Sequence, residues 1–382
     1  MKFALPILAL LSLSLPLQAV KNRGVWFWRD TGNPYGAAAI VGNTTTENTT
    51  ITFLTANGVK HVYGSYEARP VSEPAVISTW NTKLHTAGIQ SQFLMSENTW
   101  IFPANRPALL ALITQRLINF NNTPGRTAVQ KFDGLHLDIE PQGLPDWTTA
   151  TPAQKRSYLT DLKDTYTAVR AHLTAAGMAS FPIHADLPVW FDNLITDGGS
   201  VGWLDATDRD TWFADIATTL TGISLMPFDR LTFSSINHGV TWESANITGA
   251  VVRCGIEADI GTGKTWPTVP NFKAMIETLE TAYTPAGAVD IQSYRKWREA
   301  LATQPLIGVS VAFKLASPAS GGEIIFTSEA GWTYVISHSS DLCSWAELQR
   351  LKPTPLETIQ IPITTSEPRG FWKVEKFQDL PF

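Results

Sequence analysis

The sequence predicts an α/β fold, a (β/α)8 (TIM) barrel, followed by a small all-β module at the C-terminus. Eight short apolar runs recur along residues 20–316, and several are followed by a polar loop and a segment with helical periodicity. Strands that alternate with helices form parallel βαβ units, and eight such units close into a barrel of roughly 250 residues. After Ala316 short alternating runs replace the helical pattern. We therefore predict a barrel over 20–316 and a β module over 317–382.

The predicted elements follow in chain order. The predicted barrel strands are the runs 24–28, 59–64, 89–95, 134–140, 180–187, 222–228, 247–257 and 306–313. A long helix is expected to begin at Pro152 with Thr151 as its N-cap, because Ser or Thr followed by Pro is typical of a helix start. Further helices are expected over NFKAMIETLETAY and SYRKWREALATQ. In the module, the strands are expected within EIIFTSE, WTYVISHSS, ETIQIPI and GFWKVEKF.

The N-terminus has the layout of a secretory signal peptide over residues 1–19. Lys2 precedes an apolar run that is broken by proline and ends in the small residue Ala19. No later segment reaches the ~18 uninterrupted apolar residues that a membrane span needs. The sequence therefore predicts an exported protein, either secreted or located in the periplasm or at the cell surface, without a membrane span.

Composition and charge exclude some classes of partner. Charged residues make up 16% of the chain and the net charge is −5, so the basic patch typical of nucleic-acid binding is not expected. No Cys/His spacing resembles a zinc site, and we predict neither a metal nor a cofactor.

The stretch FDGLHLDIEP, residues 132–141, places acids on one face of a predicted strand. Side chains alternate between the faces of a strand, so His136, Asp138 and Glu140 share the face that points into the barrel. Glu140 would lie at the C-terminal mouth, where barrel active sites are built. Asp138 would lie roughly 6.6 Å deeper. Two close carboxyls in a site of low dielectric raise one pKa, as a glycosidic general acid requires, whereas the structural alternative is a lumen salt bridge or a helix cap.

These residues resemble family 18 glycoside hydrolases, the chitinase and endo-β-N-acetylglucosaminidase group. The family motif D-G-x-D-x-D-x-E matches residues 133–140 at every fixed position except His136. The family motif M-x-Y-D matches residues 226–229, with Phe228 in place of Tyr. The resemblance covers the barrel, and only these two motifs are specific.

The resemblance implies cleavage of a β-linked glycan that contains an N-acetylhexosamine. Glu140 would be the general acid, Asp138 would orient the 2-acetamido group and share a proton with Glu140, and Asp229 would line the same pocket. The acetamido oxygen would itself attack the anomeric carbon. His136 replaces a deeper acid and would favour an ionised Asp138, and Phe228 lacks the hydroxyl that the family's Tyr donates. The family's Ser-x-Gly-Gly and its Trp on the eighth strand are not found.

Two other functions are open. Glu257 ends the seventh run as Glu140 ends the fourth, so the two could act as the carboxylate pair of a retaining or inverting glycosidase. The structural alternative for Glu257 is an ion pair with Arg253 or Lys264. A non-catalytic carbohydrate-binding barrel would also explain the departures at His136 and Phe228.

Aromatic and polar residues follow several predicted strands, and we expect some to bind an oligo- or polysaccharide. Sugars stack on aromatic faces while their hydroxyls need polar partners. The expected substrate-binding residues are Asp229, Glu257, His136, Phe228, Trp28, Tyr63 and Trp190. Further residues expected at the mouth are Trp26, Arg29, Asp30, Tyr66, Glu67, Glu97, Asn98, Trp100, His184 and Asp186. The module resembles C-terminal β modules of exported bacterial proteins, which implies docking to the cell envelope, a protein or a glycan.

Overall fold

The structure is a computed structural model. It describes residues 21–282 and 288–303, and beyond them the strand segments 312–315, 322–327, 332–339, 346–351, 358–363 and 371–378. The predicted signal peptide lies outside the described residues.

Eight parallel strands form a closed barrel in the order in which they occur along the chain. They are β1 (Arg23–Phe27), β2 (Val59–Gly64), β3 (Gln90–Ser96), β4 (Gly134–Asp138), β5 (Ile183–Pro188), β6 (Gly222–Met226), β7 (Val251–Glu257) and β8 (Val289–Gln292). The barrel closes where Gly24 and Val25 of β1 pair with Asp290 and Ile291 of β8. The predicted (β/α)8 fold is therefore confirmed.

The eighth strand is not the run at 306–313, so that part of the prediction was wrong. The strand is the four-residue segment Val289–Gln292, which pairs with both β7 and β1. Its apolar residues Val289 and Ile291 face the outer core, while Asp290 is buried. Asp290 interrupts this four-residue strand, so it lacks the run of apolar residues by which the other strands were predicted. Residues 306–311 lie outside the described residues.

The helices of the described chain are α1 (Ala37–Ile40), α2 (Thr44–Ala56), α3 (Arg69–Ser72), α4 (Pro74–Thr86), α5 (Arg106–Ile113), α6 (Asn119–Asn121), α7 (Pro152–Ala175), α8 (Ala206–Thr219), α9 (Phe233–Asn246), α10 (Val269–Ala282) and α11 (Tyr294–Thr303). The start of α7 is as predicted: Pro152 is its first residue and Thr151 caps it, in a capping box with Gln154. The helices predicted before and after residue 290 correspond to α10 and α11.

The two faces of the barrel strands differ in chemistry. Leu135, Leu137 and Ile139 belong to the apolar core between barrel and helices, as the alternation predicts. The lumen is instead mainly polar, whereas branched apolar side chains usually fill such a barrel. Its buried polar side chains include Gln92, His136, Asp186, Ser224, Arg253 and Asp290.

The C-terminal part forms two three-stranded antiparallel sheets, in agreement with the predicted β module. The first sheet contains β9 (Ala312–Leu315), β10 (Gly322–Thr327) and β13 (Thr358–Ile363), and the second contains β11 (Trp332–Ser339), β12 (Ala346–Leu351) and β14 (Phe371–Gln378). Ile324, Phe326, Tyr334 and Ile336 form its buried core. The strand β9 pairs with β10, although the barrel was predicted to extend through residue 316.

Within the described residues, no helix is long and apolar enough to cross a membrane. The same part of the chain holds no cluster of three or more His, Cys, Asp or Glu side chains that could bind a metal ion.

Candidate functional site

The carboxyl end of β4 brings two acids to the mouth of the barrel. The strand ends at Asp138, and Glu140 follows two residues later as the N-cap of a short 3-10 helix, Pro141–Gly143. The backbone of Glu140 stays extended, with φ −108° and ψ 94°, so the alternation of β4 continues to this residue. Asp138 is buried and Glu140 is half-buried. The mouth therefore carries an accessible acid in front of a buried one.

Contacts from neighbouring loops fix Glu140 in place. The side-chain amide of Gln142 donates a hydrogen bond to Glu140 Oε2, and the backbone N–H of Glu140 donates to Asn98 Oδ1 at 2.9 Å. Gly143 passes so close to Asn98 that a Cβ at this position would lie 2.3 Å from Asn98 Nδ2. The glycine lets the loop after β4 pack closely on the loop after β3, where a larger residue would displace the Asn98 amide.

Burial and neighbouring acids favour the protonated form of Asp138. Burial raises the pKa of Asp138 well above its ordinary value, and the negative charges of Asp186 and Glu140 and a hydrogen bond with Glu140 raise it further. A hydrogen bond from Ser96 acts in the opposite direction and does not offset these effects. Asp138 Oδ1 is buried and has no partner among the described residues. Asp138 and Glu140 thus form a hydrogen-bonded carboxyl pair in which the protonated form of Asp138 is favoured.

His136 does not contact Asp138, which corrects the predicted partnership. Its Nε2 lies 2.8 Å from Asp186 Oδ1 on β5, and the indole N–H of Trp26 donates to Asp186 Oδ2 at 3.0 Å. Burial lowers the pKa of His136 to about 3, so the ring is neutral. The expectation that His136 would favour an ionised Asp138 was therefore wrong. His136 is also fully buried, so it cannot bind substrate as predicted.

Tyr63 is a second residue that was predicted to bind substrate and is instead part of the lumen core. It is fully buried, its ring stacks on His136 at 4.1 Å between centroids, and its hydroxyl donates to Asp290 Oδ1 at 2.9 Å. The sequence placed Tyr63 near the end of β2, but neighbouring lumen side chains enclose its ring. Trp26, the register partner of Tyr63 on β1, lies 5.5 Å away between ring centroids.

The residues of the M-x-Y-D-like segment are split between the core and the surface. Phe228 is half-buried and lies edge-on to Trp26, with centroids 6.0 Å apart. Gly255 makes room for it, because a Cβ there would lie 3.0 Å from Phe228 Cε1. Trp28 is partly buried against the same apolar group. Asp229 is exposed to solvent, and so offers its carboxylate to solvent rather than to the buried acids.

Glu257 is the last residue of β7, and its carboxylate forms an ion pair. Lys296 on α11 donates to Glu257 Oε1. The structural alternative proposed from the sequence named different partners, but Arg253 binds Asp290 and Lys264 binds Asp259. Glu257 is therefore neutralised at the rim by a residue that the sequence did not indicate.

Aromatic side chains form a group in the loops that follow β4 and β5. Trp190 follows this strand, is half-buried, and lies 5.8 Å from Trp147 and 4.9 Å from Phe191 between centroids. Trp147 belongs to the loop after β4, which also carries Glu140. The aromatic group is thus continuous with the loop that holds the general-acid candidate.

No family model and no curated protein matches the chain. Among solved structures, a chitinase from Rhizomucor miehei is 10% identical with a TM-score of 0.47, over 72% of this chain and 95% of that chain. An endo-β-N-acetylglucosaminidase from Cordyceps militaris is 13% identical with a TM-score of 0.44, over 74% and 90%. A xylanase and amylase inhibitor protein is 9% identical with a TM-score of 0.42, over 73% and 94%. Similarity at this level leaves the chemistry to be argued from the residues of the site.

Some residues around the acid pair were not singled out from the sequence. Gln142 binds Glu140, Ser96 binds Asp138, and Lys296 binds Glu257. Gln142 could have been found, since it follows Glu140 across a single proline. Lys296 could not, because its role depends on how α11 returns to the barrel mouth.

Proposed function

We propose that the protein is an exported glycoside hydrolase that cleaves a β-linked glycan, with Glu140 as the general acid. The observation that carries this proposal is the pair formed by buried Asp138 and half-buried Glu140 at the carboxyl end of β4. A carboxyl held protonated beside an accessible one is what protonation of a glycosidic oxygen at neutral pH requires. Support for export comes from the sequence alone.

The shared proton defines the chemistry. Glu140 donates a proton to the glycosidic oxygen while the bond between this oxygen and the anomeric carbon breaks. Asp138 is buried behind Glu140, so we do not assign it as the nucleophile. Its Oδ1 has no partner among the described residues and can accept a hydrogen bond from an N–H group of the substrate. A 2-acetamido group supplies such an N–H, and its oxygen supplies the nucleophile in substrate-assisted hydrolysis. Water then opens the resulting ring and returns a proton to Glu140.

The two-carboxylate mechanism has less support. It needs Glu257 as a free nucleophile or base, but the ion pair with Lys296 lowers the nucleophilicity of this carboxylate. The substrate class favoured by the site is therefore a β-linked glycan with an N-acetylhexosamine at the cleavage point. Trp28, Phe228 and Trp190 are half-buried aromatic residues that could offer ring faces to the sugars.

The first experiment compares aryl β-glycosides of N-acetylglucosamine and of glucose with wild-type protein and Glu140→Gln. We expect turnover of the acetamido substrate alone, and a loss of about 10²- to 10⁴-fold in Glu140→Gln, as is typical when a general acid is removed. Glu277→Gln, an exposed glutamate on α10, is the matched control and should retain full activity.

Three other results would change the conclusion. Turnover of the glucoside that is lost in both Glu140→Gln and Glu257→Gln would favour the two-carboxylate mechanism. Binding of a glycan panel without any turnover would favour a carbohydrate-binding barrel. Equal activity in wild type and Glu140→Gln would remove Glu140 from the mechanism.

A further inference from the structure

The acid pair has a third carboxyl behind it, on the neighbouring strand. Asp186 on β5 is buried, with an exposed fraction of 1%. Its two oxygens contact His136 Nε2 at 2.8 Å and Trp26 Nε1 at 3.0 Å. Neither partner carries a positive charge, because the indole is neutral and burial keeps the pKa of His136 at about 3. Asp186 thus faces Asp138 without a cation of its own.

The hydrogen bonds around His136 indicate where the proton lies. Gln92 contacts His184 Nδ1 through its amide nitrogen and His136 Nδ1 through its amide oxygen, each at 3.3 Å. The orientation of the Gln92 amide decides which nitrogen of the neutral His136 ring carries the proton. With the proton on Nε2, His136 donates to Asp186 Oδ1 at 2.8 Å, so that an ionised Asp186 accepts hydrogen bonds from His136 and Trp26. Asp186 and Asp138 then titrate as coupled carboxyls rather than independently.

We propose that Asp186 is a positioning residue for the acid pair: through its charge it keeps the shared proton on Asp138 and Glu140 in the pH range in which Glu140 must donate it. This inference rests on the proposed function. The geometry behind it is the burial of Asp186, its two neutral hydrogen-bond partners and its place beside Asp138. An ionised Asp186 disfavours ionisation of Asp138, so the pair holds its proton to a higher pH.

Other ionisable groups near these acids are neutral or paired, and so do not replace Asp186. Burial keeps the pKa of His184 well below its ordinary value, and the pKa of Tyr166 on α7 is raised well above its own. Asp290 is ionised but is bound by Arg253. The charged groups that raise the pKa of Asp186 are Asp290 and Glu140, and those that raise the pKa of Asp138 are Asp186 and Glu140. The neutral titratable side chains around Asp186 are His136, Tyr63 and Tyr166.

The variant Asp186→Asn tests the charge and keeps the hydrogen bonds. The amide oxygen can accept from Trp26 and the amide nitrogen can donate to His136. In protein labelled with carboxyl ¹³C-aspartate, we expect the titration midpoint of Asp138 to fall by on the order of one pH unit. The Asp138 signal is assigned by its absence in Asp138→Asn. Asp215→Asn, on the outer face of α8 and paired with Lys163, is the control that should not move the midpoint.

The measurement does not need turnover, so it separates this inference from the proposed function. An Asp138 midpoint that is the same in wild type and Asp186→Asn would overturn the inference even in an active enzyme. If Asp186→Asn does not fold, the same ¹³C titration of wild-type protein tests the inference. Two titration steps that appear in both the Asp138 and the Asp186 signals would support coupling of the two carboxyls. A single, independent step in each signal would refute it. In active protein, the alkaline limb of kcat/KM should move to lower pH in Asp186→Asn. If the Asp138 midpoint shifts but the alkaline limb of kcat/KM does not, the positioning role is refuted.

Discussion

Two buried aspartates in the same lumen, Asp290 on β8 and Asp186 on β5, are held in opposite ways. Arg253 Nε donates to Asp290 at 2.9 Å, and Tyr63 and Ser224 donate to it at 2.9 and 2.5 Å. Although burial alone would raise the pKa of Asp290, Arg253 and these hydrogen bonds lower it below its ordinary value. Asp186 is equally buried, has no cation, and its pKa is raised.

The difference shows that burial does not fix the protonation of a lumen carboxyl; its partners do. Asp290 faces Gly24, two residues before Trp26 on β1, and so lies deeper in the barrel than the Trp26–Asp186 contact. Asp290, the deeper acid, is neutralised by Arg253, and we expect this pair to contribute to the stability of the fold. Asp138 and Asp186, nearer the mouth, have no such cation, and the pKa of each is raised. The predictions below test this division between a structural and a chemical layer.

The largest effect is expected from Arg253→Met. Removing one partner of a buried ion pair leaves an uncompensated charge and typically costs about 3–5 kcal/mol. We expect a loss of this size in the free energy of unfolding at pH 7, measured by urea denaturation. The double variant Arg253→Met/Asp290→Asn should recover part of the loss, because no lone charge then remains. A cost below ~1 kcal/mol for the single variant would show that Asp290 does not depend on Arg253.

A smaller loss is expected from Gly24→Ala, which tests how tightly the deep layer is packed. A Cβ at Gly24 would lie 2.1 Å from Asp290 Oδ1 and 2.3 Å from the Tyr63 hydroxyl. Overpacking of a filled core typically costs 1–3 kcal/mol, and we expect about this loss in urea denaturation at pH 7. A loss below ~1 kcal/mol would mean that the deep layer accommodates a Cβ beside Asp290 and Tyr63.

The sequence was sufficient for the barrel and for the acids of β4, because both depend on local alternation. Leu135, Leu137 and Ile139 on one face and His136, Asp138 and Glu140 on the other follow from a period of two. The strand β8 was missed because its apolar face has only Val289 and Ile291. A pattern so short cannot be distinguished from loop without knowledge of its neighbours β7 and β1.

The partners of the site residues could not be predicted, because they come from distant strands. Asp186 was expected near the mouth, but its contact with His136 joins residues 50 positions apart. The pair of Asp290 with Tyr63 joins residues 227 positions apart. Motif reasoning assigned His136 to Asp138, its neighbour on the strand. The ring instead reaches across to β5 and meets Asp186, two residues beyond its register partner His184.

The pH dependence of stability should distinguish the two layers by sign. Asp186 has a raised pKa in the folded state, so its stabilising effect is complete below the unfolded pKa of about 3.9 and is lost as pH rises through the folded pKa. Asp290 has a lowered pKa, so its effect is present above about 3.9 and is lost as pH falls through the folded value. We expect Asp186→Asn to gain stability relative to wild type between pH 4 and 8.

The size of that gain is about 1.4 kcal/mol for each unit by which the pKa of Asp186 is raised. It is measured as the difference in the free energy of unfolding between wild type and Asp186→Asn at several pH values. Asp290→Asn should show the opposite trend, with its largest loss at neutral pH. Parallel pH profiles for wild type and Asp186→Asn would mean that Asp186 is ionised in both states, and the comparison with Asp290 would fail.

The smallest effect is expected from Ser96→Ala, which removes the hydrogen bond that lowers the pKa of Asp138. Ser96 is exposed at the end of β3, so the stability should change by less than ~1 kcal/mol. The ¹³C titration midpoint of Asp138 should rise, opposite to the shift expected for Asp186→Asn. At Asp290, Arg253 and two hydroxyl donors lower the pKa by more than burial raises it. At Asp138, the hydroxyl of Ser96 lowers the pKa by less than burial and two neighbouring acids raise it. A midpoint that fell in Ser96→Ala would mean that Ser96 does not stabilise the ionised form of Asp138, and that the number of donors does not explain why the two layers differ.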